Sequence, residues 1–206
     1  MRPREVLDPL PNPDIVWGRA RAHACIPVRA WDADLRLIPD TVPYKTRIFD
    51  YIAKMHELEK AGFGLILYGE QGTGKTTIAV QVMKEAMARG AVRGYFVEAA
   101  EIPKLAIRRP DTAYDESVWD QLRGSAQFLV IDDLGSESEE SSFWDDRTIR
   151  EILSSRYNNA LPTLITANLS LATLYERVPR LGKIAGDCYA TIEVSEPKWR
   201  APAQVV

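Results

Sequence analysis

The chain has 206 residues, 46% of them hydrophobic and 27% charged, which suits an ordinary globular protein with one sizeable α/β core and little else. A net charge of −3 excludes a polycation that would hold nucleic acid by bulk charge, so any such contact must come from a local patch. No apolar run approaches the ~18 residues that a membrane span needs, and two cysteines and two histidines without a C-x-x-C pair argue against a structural zinc module.

The opening, Met1 to Asp14, is polar and carries Pro3, Pro9, Pro11 and Pro13. It reads as an extended arm, and without an apolar stretch it does not read as a signal peptide, which points to the cytoplasm. Asp14 to Cys25 is a weak helical pattern capped by Asp14. Its apolar group Ile15, Val16 and Trp17, followed by Arg19 and Arg21, suits docking on another protein with Trp17 as anchor; the alternative is that Trp17 folds back onto the core or over an adenine. Cys25 and Cys188, far apart in sequence, read as buried thiols.

From Ile26 onward strand-like and helical segments alternate. Five short apolar runs predict buried strands: Gly64–Tyr68, Gly94–Glu98, Phe128–Asp132, Thr163–Ala167 and Tyr189–Val194. Between them, Thr76 to Arg89 predicts a helix with Ile78, Val82, Met83 and Ala86 inward and Gly90 as its stop. Asp145 to Asn159 predicts another, with Ile149, Ile152 and Leu153 inward. Such alternation predicts an α/β fold with a parallel sheet covered on both faces, and such sheets bind ligands at the carboxyl ends of their strands.

Gly69-Glu70-Gln71-Gly72-Thr73-Gly74-Lys75-Thr76, with Thr77 behind it, fits the pattern G-x-x-x-x-G-K-[ST] and lies directly after a predicted strand and directly before a predicted helix. Glycines let the backbone close around phosphates, and the helix N-terminus adds positive potential. Lys75 then reaches the β- and γ-phosphates of ATP, and Thr76 ligates Mg²⁺. Phe128–Asp133 is an apolar strand ending in two acids, which puts carboxylates at the same edge. Asp132 suits the Mg²⁺ ion and Asp133 suits orienting or activating the attacking water. Asn168, at the end of Thr163–Ala167, suits a hydrogen bond to that water or to the γ-phosphate if its strand lies between the other two; an asparagine also ends strands merely to turn the chain.

Together these residues resemble the AAA+ ATPases of the DnaC/IstB type, bacterial and phage helicase loaders and transposon helper ATPases. The likeness runs from about Ile26 to Arg200. It rests on Ile26-Pro27, the phosphate loop, VIDDLGSE (Val130–Glu137), SSRYNNALPTLITANLS (Ser154–Ser170), ERVPRL (Glu176–Leu181) and Lys198-Trp199-Arg200. The resemblance implies a P-loop NTPase three-layer sandwich with strand order 5-1-4-3-2, which makes Asn168 a sensor of the γ-phosphate. It implies an arginine finger delivered in trans by Arg180, a second sensor arginine in Arg200, self-association in ATP, and a replicative helicase or a transposase as partner. Set against that pattern the chain reads as an arm over residues 1–25 and an ATPase domain over 26–206, and it departs from the family in a C-terminal lid that is absent or vestigial, since only a dozen residues follow the last predicted strand. The arm is far shorter than the family's partner-binding domain, and Asp133 is one methylene shorter than the usual glutamate.

Alternatives stay open for the basic residues. Arg177 and Arg180, three apart, could be the solvated face of one helix. Arg156 could pair with a carboxylate or face a neighbouring subunit. Lys104, Arg108 and Arg109 form the best basic patch for single-stranded DNA, but few aromatics stand near them to stack bases, and a solvated face is the other reading. The stretch Asp132–Asp146, with seven acids and no base, would repel DNA. Helicase loading with ATP is the leading function and transposition on duplex DNA the alternative; a small-molecule kinase is disfavoured, because the sequence shows no lid with paired arginines for a second phosphate donor or acceptor.

Overall fold

The structure is a computed structural model that describes residues 24–30, 34–90, 93–107, 118–136 and 142–195. Its centre is a five-stranded sheet built of β1 (Gly64–Tyr68), β2 (Gly94–Glu98), β3 (Phe128–Asp132), β4 (Thr163–Ala167) and β5 (Tyr189–Glu193). All neighbours pair parallel, in the order β2-β3-β4-β1-β5. This is the 5-1-4-3-2 arrangement, with β4 between the strand that leads into the phosphate loop and the strand that ends in Asp132.

Side chains alternate between the two faces of each strand, and this divides the core in two. Leu65, Leu67, Phe128, Val130 and Leu164 pack on one side with helices α1 (Pro43–Ala53), α2 (Met55–Lys60) and α3 (Lys75–Gly90). Ile66, Leu129, Ile131, Ile165 and Ala167 pack on the other with α4 (Ile102–Ile107), α5 (Ser142–Asn158), α6 (Leu171–Arg177) and α7 (Pro179–Cys188). By the same alternation Asp132 and Thr166 belong to the α3 side, the side on which the phosphate loop opens. Ala24 is buried and its carbonyl accepts the Phe96 amide at 2.8 Å, fastening the segment before α1 to the outer strand β2. None of the described helices is long and apolar enough to cross a membrane.

The helix of the phosphate loop starts one residue earlier and ends one later than its periodicity predicts, and α5 begins three residues earlier. Strand β5 stops one residue short, at Glu193, although the Val194 amide still donates to the Tyr68 carbonyl at 2.8 Å. Three expectations are corrected. Arg177 and Arg180 do not share a helix: Arg177 ends α6, Val178 turns the chain, and Pro179 opens α7, where its fixed φ and missing N–H suit the first turn. Cys25 is exposed, with φ 54, while Cys188 is half-buried and burial pushes its thiol up to about 11.

The third correction is Arg156. It neither pairs with a carboxylate nor faces outward, but is only 1% exposed. Its guanidinium donates to Thr163 Oγ1 at 2.8 Å, to the Ala126 and Leu122 carbonyls at 2.8 and 3.4 Å, and to the Pro162 and Gln127 carbonyls at 2.9 and 3.3 Å. The fork of a guanidinium spreads donors widely enough to tie the starts of β3 and β4 together. Burial lowers its pKa to about 10.

Candidate functional site

The carboxyl ends of β1, β3 and β4 converge on a cavity of about 260 Å³. Gln71, Gly72, Gly74, Lys75, Thr76 and Thr77 line it from the loop, and Asp132, Asp133, Thr166 and Asn168 from the strands. The loop turns sharply where β1 ends. Gly69 has φ 134, and a Cβ there would meet the Val194 carbonyl oxygen at 2.6 Å, so only glycine fits. Gly72 and Gly74 also have positive φ, which carries the backbone around the cavity into the first turn of α3.

Lys75 is buried and folds back onto its own loop. Its ammonium donates to the Gly69 and Glu70 carbonyls at 2.9 and 2.6 Å and lies 3.4 Å from Thr73 Oγ1. Desolvation lowers its pKa, against the pull of Asp133 and Asp132. Thr76 Oγ1 donates to both oxygens of Asp132 at 3.0 Å. Asp132 in turn is raised by burial, and the hydrogen bonds from Thr166 and Thr76 act against that rise. Asp133 sits at φ 58, in the left-handed region that a residue with a Cβ seldom adopts. Asn168 Nδ2 donates to Asp133 Oδ1 at 2.5 Å.

Hydroxyl and carboxylate oxygens side by side are the donors that Mg²⁺ takes, and the ion characteristically keeps substrate phosphates among its ligands. Thr76 and Asp132 therefore fit a Mg²⁺ ion, and the glycine cradle with a cation beneath it fits a polyphosphate. When bound, such an ion neutralises charge that builds on the phosphate oxygens.

The structure thus brings Gly69–Thr77, Asp132, Asp133 and Asn168 to one place. Arg180 does not line that cavity. Its guanidinium lies 5.3 Å from the centre of the Tyr157 ring, with Nε buried and without a hydrogen-bond partner among the described residues. Arg177 is engaged within its own chain, where Nη1 donates to the Gly135 carbonyl at 2.5 Å. Lys104 is exposed and paired with Glu101 at 2.6 Å. Arg108, Arg109, Trp17, Arg200 and the segment of any C-terminal lid lie outside the described residues, as does part of the acidic stretch after Asp133. Sequence reasoning missed Thr166, which donates to Asp132 Oδ1 at 2.6 Å and accepts the Asp133 amide at 2.8 Å. The two-residue strand repeat, which sets Thr166 on the same face as Asn168, was the available signal.

A family model described as IstB-like ATP binding protein matches residues 44–178. Among solved structures, the crystal structure of the DnaC helicase loader is 28% identical with a TM-score of 0.69, covering 82% of this chain and 100% of that one. The crystal structure of DnaI is 21% identical with a TM-score of 0.66, covering 84% and 94%. AMPPCP-bound DnaA from Aquifex aeolicus is 18% identical with a TM-score of 0.59, covering 80% of this chain and 50% of that one. At those lower identities DnaI and DnaA speak for the fold alone. No curated protein matches the chain.

Proposed function

The chain belongs to the family of IstB-like ATP binding proteins, and from that premise we propose that it hydrolyses ATP at the Gly69–Thr76 loop and uses the cycle to load a replicative helicase. The observation that carries the ATPase reading is the meeting of Thr76 with Asp132 and of Asn168 with Asp133 beside one glycine cradle. Lys75 exchanges its loop carbonyls for phosphate oxygens. Asp133 accepts a hydrogen bond from the attacking water and orients it, and Asn168 holds that carboxylate in place. Likeness to the DnaC helicase loader over that chain's whole length supports loading; the IstB-like family model keeps transposition on duplex DNA as the second reading.

Of the two arginines that could act on a neighbour, Arg180 is the candidate, because Arg177 is spent on Gly135 in its own chain. A site completed in trans requires ATP-dependent self-association. Arg200 serves as the sensor within its own site, Lys104, Arg108 and Arg109 contact single-stranded DNA, and residues 1–25 dock on the helicase while 26–206 form the ATPase domain.

The test combines subunits. Arg180→Ala and Asp133→Asn should each be inactive alone, and mixing them should restore part of the ATPase rate, since each supplies what the other lacks. A rate per chain that does not depend on protein concentration would remove the trans arginine. ATP-dependent co-purification with a hexameric replicative helicase supports loading, whereas ATP-dependent filaments on duplex DNA without helicase binding support the transposition reading.

A further inference from the structure

Building on the ATP reading above, we infer that Thr166 is a positioning residue of the site: its hydroxyl fixes the carboxylate of Asp132 and the main chain of Asp133 relative to each other. Thr166 is 2% exposed, in the penultimate position of β4. A hydroxyl carries one donor and two acceptor lone pairs. Thr166 uses both functions, donating to Asp132 Oδ1 at 2.6 Å and accepting the Asp133 amide at 2.8 Å. Its own carbonyl accepts the Leu134 amide at 2.8 Å. Three consecutive residues of the turn, Asp132 to Leu134, are therefore tied to one residue of the neighbouring strand.

Two features give this arrangement work beyond packing. Asp133 holds a left-handed backbone, which persists only where its surroundings fix it, and Thr166 supplies bonds to that residue and to the next. Asp132 receives side-chain hydrogen bonds from Thr76 and Thr166 among the described residues. If Thr76 gave its oxygen to a Mg²⁺ ion, Thr166 would still aim the carboxylate. The bland alternative is that a β-branched residue suits this strand and valine would serve as well.

The full chain with Thr166→Val, Thr166→Ser or Thr166→Ala separates these. In the nucleotide-free protein, the Asp133 amide should exchange its hydrogen faster in Thr166→Val than in wild type. Nucleotide affinity in EDTA should be unchanged, while the Mg²⁺ concentration for half-maximal nucleotide binding and turnover should rise about 10–100-fold, the usual cost of removing a group that orients a metal ligand. Thr166→Ser should return both to near wild type. If Thr166→Val does not fold, Thr166→Ala, with room for a water in place of the hydroxyl, takes its place in the same measurements. Unchanged Mg²⁺ dependence and amide exchange in the valine or alanine variant would overturn the inference, as would a serine variant no better than valine. Should wild type bind nucleotide without hydrolysing it, the ATPase reading fails, and the Mg²⁺ dependence of binding still decides the role of Thr166.

Discussion

The sheet has a hollow at each edge, and the two are nearly equal in size: about 260 Å³ at the carboxyl edge and about 270 Å³ at the amino edge. Their chemistry differs. The amino-edge hollow lies between α2 and the starts of β3 and β4, against Phe128, Leu161 and Pro162, with Glu59 half-buried and raised by desolvation. Beside it, Arg156 is fully buried and spends its guanidinium on main-chain carbonyls and the Thr163 hydroxyl, out of reach of the hollow. At the carboxyl edge the polar groups are also bonded, Lys75 to carbonyls of its own loop, Thr76 to Asp132 and Asn168 to Asp133, but all five line the cavity itself. Groups that face a cavity have room to trade these partners for those of a ligand. One edge uses buried polarity to close the fold, and the other keeps it in an exchangeable form; volume alone does not tell them apart.

Breaking the amino edge should have the largest effect. Arg156→Met leaves several buried carbonyls without donors, at about 1–3 kcal/mol each. At about 2–4 °C per kcal/mol for a chain of this length, the melting temperature should fall by more than about 10 °C or soluble protein should be lost. A melt within about 3 °C of wild type would show that water replaces the guanidinium freely. Next comes turnover. Asp133→Asn should bind ATP as wild type does and lose about 10²–10⁴-fold in kcat, the range typical of a positioned base; ordinary turnover would take Asp133 out of the site. Lys75→Ala removes charge-assisted bonds to phosphate worth about 1.5–3 kcal/mol and should weaken nucleotide binding about 10–100-fold, readable by titration.

The smallest effect sharpens the contrast through pH. Burial raises Asp132 above its unfolded value, so the folded chain takes up a proton more readily than the unfolded one. Its contribution to stability is fully present below the unfolded pKa and is lost as pH rises through the folded one. Without nucleotide or metal, Asp132→Asn should therefore melt above wild type at neutral pH, and the gap should close as the solution is acidified. A gap that does not change between acid and neutral pH would mean that Asp132 is not held against its charge.

The strands were legible because a parallel sheet buried on both faces leaves continuous apolar runs, and Gly64–Tyr68, Gly94–Glu98 and Thr163–Ala167 match their runs at both ends. The loop and the two acids were legible because fixed spacing puts them at strand ends. Arg156 was not, because all but one of its partners are carbonyls, which every residue carries and no pattern marks, and they come from segments around Leu122–Gln127 and Pro162. Thr166 was hidden for another reason: within an apolar strand a threonine looks like any β-branched residue until its hydroxyl is seen between two acids. The break between Arg177 and Arg180 was available in Pro179, which cannot continue a helix but starts one well.

That break has a mechanical consequence. Val178 alone separates the arginine clamped to Gly135 from the first turn of α7, and it is fixed on both sides, its amide bonded to Leu174 and its carbonyl to Leu181. A linkage so short has no backlash: a displacement of the turn two residues beyond Asp133 is passed to the base of α7 rather than taken up by slack chain. Arg180, mounted on that base, is thereby tied through three residues of main chain to the turn that follows Asp133.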